Sequence, residues 1–242
     1  MKLLLILTLL SIAFSSRADN FTVNVVGVLK DDKDAPNVIQ YYTDIYQTVD
    51  IKPSFTFYPS QRGLKMVDEG VLDAEAFRLN VVGEHFSELV KIDEAIGHIQ
   101  IGFICLDKSD CVVDETSVIG VLSSFRGAVD FCAESNIKCH FIKSINSIAK
   151  KLDTGLVDVI FVTDIEAERI VCASKLDSFQ FTPSLDHKLP LYHYVNKRHL
   201  GLKDKLEKSI RDAKNSGKLA VHSSEDILAN VSCGKRVTVI RR

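Results

Sequence analysis

A seven-residue phrase occurs twice in this chain, as Asp68-Glu-Gly70-Val-Leu-Asp73-Ala and again as Asp153-Thr-Gly155-Leu-Val-Asp158-Val. In each copy the glycine stands where a helix needs a left-handed residue to stop, and the apolar pair after it leads into a buried strand. The patterns before the glycines also match. Leu64 and Val67 follow Ser60, and Ile145, Ile148 and Leu152 follow Ser144, both serines reading as N-caps. One helix-Gly-x-x-Asp-strand segment is common in α/β proteins. Two in register predict an α/β unit used twice, hence two Rossmann-like lobes with a ligand-binding crevice between them.

The apolar periodicity extends this reading. It predicts strands over 21–29, 54–58 and 72–77, helices around 38–45 and from 60, and a weakly helical stretch over 84–90. The same βαβαβ order then repeats, with strands over 118–122, 138–142 and 157–162, a helix over 125–134 and another from 144. The apolar run Ile99 to Leu106 leads out of the first unit, and Leu202, Leu206, Ile210 and Ala213 mark a last amphipathic helix stopped by Gly217. No low-complexity linker separates the units, so bending strands are expected to join them as a hinge.

Residues 1–18 carry Lys2, the apolar run Leu3 to Phe14 and the small-x-small pattern Ser16-Arg-Ala18, which predicts a secretory signal peptide cleaved near Ala18. The run is shorter than the roughly 20 residues of a membrane span, and no cysteine at the cleavage point offers a lipid anchor. A soluble periplasmic chain, without stable membrane insertion, is expected. Losing Lys2 and Arg17 takes the formal charge from -2 to -4. With no basic stripe, nucleic acid is not an expected partner. Six cysteines, an even number in an oxidising compartment, predict disulfides. Proximity pairs Cys105 with Cys111 and Cys132 with Cys139, and elimination leaves Cys172 with Cys233, though other connectivities stay open. The competing reading is a reactive thiol or a zinc site at Cys139-His140; no CxxC or HxxxH spacing accompanies it, and no cofactor is expected.

Pro59-Ser-Gln-Arg62 with Gly70 to Arg78, then Ile145 to Asp164, then Pro190-Leu-Tyr192-His with Leu202 to Gly217, resemble the periplasmic solute-binding proteins of type 2 fold, in particular the family that binds polar amino acids for ABC transporters. The resemblance covers nearly the whole mature chain. It implies a discontinuous first lobe over 19–104 plus 192–242 and a second lobe over 105–191. It also implies a monomer that captures a small polar or carboxylate-bearing, amino acid-like solute, closes, and hands it to a membrane permease without chemistry. Two positions depart from that family. Gly27-Val-Leu-Lys-Asp-Asp-Lys replaces the usual Pro-aromatic wall of the pocket, and Thr163 stands where many members place an ammonium-binding aspartate.

Arg78 is the first candidate anchor. It ends a first-lobe strand at the expected crevice, and its planar fork suits a carboxylate; the competing reading pairs it with Glu75 or Glu84. Arg62, in the first turn of its helix, faces either the crevice or solvent. Ser123, Ser124 and the helix start beside Arg126 offer hydroxyls and free amides to an anion, or plain capping. Asp164 accepts from an ammonium or hydroxyl group, or caps the helix 165–170. Tyr192, flanking His193 with Tyr194, stacks on a ligand or packs the hinge. Two rival functions remain at this stage. One is a sensing module that docks on a signalling protein; the other is a dehydratase-like enzyme, for which Glu75 is the single nominated acid.

Overall fold

The computed structural model describes residues 20–30, 35–80, 82, 85–107, 111–135, 137–184, 188–217 and 224–240; the expected signal peptide and Glu84 lie outside them. The chain builds two six-stranded mixed sheets. In the first, β1 (Thr22–Val26) runs parallel between β2 (Ser54–Tyr58) and β3 (Ala74–Leu79), with α1 (Ala35–Gln47) and α2 (Ser60–Asp68) as crossovers. In the second, β7 (Val118–Leu122) runs parallel between β8 (Lys138–Ile142) and β9 (Val159–Thr163), with α3 (Arg126–Glu134) and α4 (Ile145–Asp153) as crossovers. The βαβαβ unit is thus used twice, as the repeated phrase predicts.

The phrase works the same way in both copies. Gly70 and Gly155 have φ of 71° and 68°. Gly70 N donates to Val67 O and Val71 N to Met66 O, while Gly155 N donates to Leu152 O and Leu156 N to Lys151 O, two Schellman stops. Each following aspartate then ties the start of the third strand to the start of the first: the carboxylate of Asp73 accepts from Thr22 N at 2.7 Å and that of Asp158 from Val118 N at 2.8 Å. These acids are structural, as their positions at helix ends and strand starts imply. A Cβ at position 155 would meet nothing within 4 Å, so Gly155→Ala isolates the cost of left-handed backbone. Urea unfolding should show a loss of about 1–2 kcal/mol; an unchanged midpoint would refute that account of the stop.

Each unit is extended by antiparallel strands. β11 (Leu189–Asn196) pairs with β3, β4 (Leu89–Lys91) and β5 (Gly97–Ile99) in the first sheet, and β6 (Ile101–Leu106) pairs with β9 and β10 (Ser178–Pro183) in the second. The apolar run 99–106 is therefore two strands, one per sheet, meeting at Gln100. Asp164, at the start of α5 (Asp164–Ala173), fastens that crossing: its carboxylate accepts from Gln100 N at 3.0 Å and Ile165 N at 2.9 Å, and its own N donates to Gln100 O. The return crossing lies alongside, where Ser184 N and Oγ both donate to Ile101 O.

Both sheets are covered on both faces. In the first, Tyr42, Ile45 and Tyr46 of α1 with Leu206 and Ile210 of α6 (Lys203–Asn215) form one core, and Leu64, Val67 and Tyr194 the other. In the second, Ile148 and Leu152 of α4 with Ile170 and Val171 of α5 pack one face, and Ala128 of α3 the other. No helix among the described residues is long and apolar enough to cross a membrane.

Four local expectations are corrected. Ser60 is the first residue of α2, not its cap; Pro59 precedes it without a side-chain bond, whereas Ser144 caps α4 by accepting from Ser147 N. The stretch 84–90 is not helical where described, because Leu89 and Val90 pair with β11. Residues 27–29 leave the first strand in a 3-10 turn, where Gly27 lies against the Tyr58 carbonyl. Finally, the C-terminal stretch does not return to the first sheet: β12 (Arg236–Val239) pairs parallel with β10, and α7 (Ser224–Ala229) packs on α5. The sequence shows a polar, weakly patterned tail, and only a partner distant in sequence decides which sheet it joins. The three disulfides form as paired above: Cys105–Cys111, Cys132–Cys139 and Cys172–Cys233. Cys139 is thereby bonded, and the thiol and zinc alternative falls.

Candidate functional site

The two halves of the repeat differ most at one buried point. Aligning Gly70 with Gly155 places Glu75 on Ile160 and Gly63 on Ile148, and the strand registers place Asn24 on Gly120: Asn24 pairs with Glu75, Gly120 with Ile160. In the second lobe the helix supplies the bulk, and Ile148 packs over Gly120. In the first the strand supplies it. A Cβ on Gly63 would come within 2.1 Å of Asn24 Nδ2 and 3.1 Å of Glu75 Oε2. The fold is thus content with an apolar contact here, and the first lobe instead buries an amide and an acid completely. Burying a carboxylate is costly, so a carboxylate where the twin needs none makes this point the candidate site.

Glu75 accepts from Asn24 Nδ2 at both oxygens, 3.1 and 2.9 Å, and forms an ion pair with Arg78. Residues 75 and 78 of a regular strand would face opposite ways. Here Tyr192 lies opposite Arg78 and Tyr194 opposite Glu75, so Ala76 and Phe77 together face His193 alone, a β-bulge that turns Arg78 towards Glu75. The carbonyl of Ala76 at the bulge accepts from Tyr42 Oη and, at 3.1 Å, from His193 Nδ1. With Nδ1 donating, His193 Nε2 accepts from Tyr46 Oη at 2.7 Å, which fixes a neutral imidazole. Burial lowers the His193 pKa to about 4. Burial likewise pushes Glu75 up to about 7, against the pull of Arg78 and Asn24. Arg78 is itself nine-tenths buried; its Nη1 donates to Phe77 O at 3.1 Å, and its Nε has no hydrogen-bond partner among the described residues.

Of the residues singled out from sequence, Arg62, Arg78 and Tyr192 gather in the first lobe. Arg78 pairs with Glu75, the structural alternative weighed above. Arg62 is exposed, its guanidinium 4.9 Å over the Tyr58 ring. Tyr192 is half-buried, with Lys91 Nζ 4.5 Å over its ring. Ser123 and Ser124 are exposed after β7, at the place of the 3-10 turn after β1. Neither caps α3: Phe125 holds the N-cap position without a side-chain bond. Arg126 opens α3, and its side chain lies outside the described residues. No hydrogen bond or ion pair joins these serines to the first-lobe group among the described residues. Asp164 is corrected: it is wholly buried and its oxygens hold the crossing, while Thr163 caps α5 by accepting from Glu166 N. Asn24, Gly63 and His193 were missed as site residues. Their signals were an asparagine in the strand Thr-Val-Asn-Val-Val and a glycine inside a helical run. A cavity of about 940 Å³ lies elsewhere, lined by Phe21, Lys52, Arg198 and His199 among others, and includes none of the candidates.

No protein-family model and no curated protein matches the chain. Solved structures do. One is ytmK of Bacillus subtilis, described as a "probable amino-acid ABC transporter extracellular-binding protein", at 14% identity over 83% of this chain and 94% of that one, with a TM-score of 0.67. An ancestral arginine-binding protein bound to glutamine aligns at 13% identity over 88% and 98%, TM-score 0.63. The GluR0 ligand-binding core in complex with L-glutamate aligns at 12% identity over 84% and 96%, TM-score 0.68. The duplicated units, the two crossings and these likenesses together give the chain the two-lobed type 2 periplasmic-binding-protein fold.

Proposed function

We propose that the chain is an exported solute-binding protein that captures a small polar or carboxylate-bearing, amino acid-like solute between its lobes for an ABC-type transporter. The observation that carries the reading is Arg78, a buried guanidinium near the end of β3 whose Nε has no hydrogen-bond partner among the described residues, beside an acid that the twin lobe does without. The three structural neighbours are described as binding proteins or a ligand-binding core. In this reading Arg78 anchors the carboxylate, Arg62 and Tyr192 border it, and Ser123, Ser124 and Arg126 meet it from the second lobe on closure. Capture proceeds without turnover, and the chain works as a monomer between periplasm and permease.

A thermal-shift panel of L-arginine, L-glutamine, L-glutamate and glucose tests it. A solute at about 100 times its Kd adds about 2.7 kcal/mol to the folded state, a rise of several degrees. At least one amino acid should give it and glucose should not; a shift by glucose alone would refute the anchor. Arg78→Ala is a poor probe, because stranding a buried partner costs about 3–5 kcal/mol. Arg78→Lys keeps the charge and loses the fork. It should weaken binding at least tenfold with little change in the ligand-free melting temperature.

A further inference from the structure

We propose that Glu75 is a built-in substitute for the solute carboxylate: it holds the Arg78 guanidinium in the empty protein, an incoming carboxylate displaces it, and it then takes one proton from solvent, so that capture tightens as pH falls. The inference rests on the reading that Arg78 meets a carboxylate. Its ground is the cluster itself. Asn24 and Arg78 are the side chains that hydrogen-bond or pair with Glu75 among the described residues, and the equivalent Ile160 shows that the fold asks for neither charge.

The groups facing Glu75 from each packed element leave Arg78 as its cation. From β1 comes the neutral Asn24, and from α2 Gly63, with Arg62 turned out over Tyr58. From β11 come Tyr194, whose hydroxyl donates to Leu79 O and Asn80 O, and the neutral His193. From α1 comes Tyr42, bonded to Ala76 O. A solute carboxylate at Arg78 would place a second anion against a single cation in a dry site. Protonating Glu75 restores neutrality: solute and Arg78 form the ion pair, and Glu75 keeps Asn24 as a neutral carboxyl.

The sign follows from linkage. Burial already holds Glu75 at about 7 with Arg78 beside it, and losing that pull raises it further. Between the two values binding takes up a proton, and affinity falls by up to about tenfold per pH unit as pH rises; below about 7 the carboxyl is protonated in both states and affinity levels off.

Calorimetric titration of the panel amino acid with the largest thermal shift, at about pH 8 in phosphate and in Tris, reads the uptake from the difference in buffer ionisation heat. Up to one proton per site is expected for the native chain, and none for Glu75→Gln, whose affinity should be flat with pH. Binding with no proton uptake, or with release, overturns the inference and leaves the solute-binding reading intact; no binding by any panel member removes both. Infrared titration of the ligand-free protein reads Glu75 without a solute. Its carboxyl band should titrate near neutrality, and titration in the ordinary carboxylate range overturns the proposal whatever the variant does.

Discussion

Replacing Cys172 and Cys233 together by serine should cost the folded chain about 4 kcal/mol, roughly twice the loss from removing Cys105–Cys111. The bridges differ in the length of chain they close, with sequence separations of 61 and 6 residues. In the chain-entropy model the long loop gains the greater constraint on the unfolded ensemble. The native structure adds a local reason. The tail holds α7 and the edge strand β12, which pairs with β10 alone. Cys233 anchors the segment between them to α5, supported by Ser232 N donating to Glu168 Oε1 at 3.0 Å. Without the bridge the tail keeps those contacts but loses its anchor to α5. Urea unfolding compares the two serine pairs, and hydrogen exchange should show β12 amides losing protection before those of β6 to β9. Equal losses for both pairs, or an unchanged β12, would count against this account.

The second large effect is a pH profile that appears only when one of two opposing groups is removed. Glu75 is raised from 4.5 to about 7 in the fold. Between those values the native state holds one more proton than the unfolded chain, so stability falls as pH rises. His193 is lowered from 6.5 to about 4. Between those values the unfolded chain holds the extra proton, so stability rises with pH. Each amounts to about 3 kcal/mol over its window, and from about pH 4.5 to 6.5 they nearly cancel. Glu75→Gln leaves the histidine slope, with stability climbing from about pH 4 to 6.5. His193→Asn leaves the glutamate slope, with stability declining from about pH 4.5 to 7. Parallel profiles for the native chain and both variants would show that neither group is buried as described.

The parts of the fold legible from sequence are those set by local physics. Gly70 and Gly155 stop their helices through backbone conformation and bonds within six residues, and the βαβαβ order follows from the apolar period. The tail was misplaced because strand pairing is chosen by a distant edge: nothing in Arg-Val-Thr-Val names β10 as its partner. Asp164 was read as a crevice acceptor because a strand-end aspartate looks the same from sequence whether it meets a ligand or a hinge amide. Arg78 and Glu75 were nominated for separate roles, and as a pair only in the competing structural reading. What joins them is a bulge opposite His193, and a one-residue slip in register leaves no periodic trace. Asn24 and Gly63 were each visible as local exceptions, and only the comparison of the two lobes shows that they answer one another.

That exchange of bulk between strand and helix couples three positions. Giving the second lobe an acid like Glu75 would require Ile160, Gly120 and Ile148 to change together, because each step alone strands a charge in hydrocarbon, collides with a neighbour or opens a cavity. The two halves therefore sit on opposite sides of a barrier to single substitutions. Converting either half into the other by single substitutions passes through intermediates that fold worse than both ends, so the asymmetry resists stepwise change.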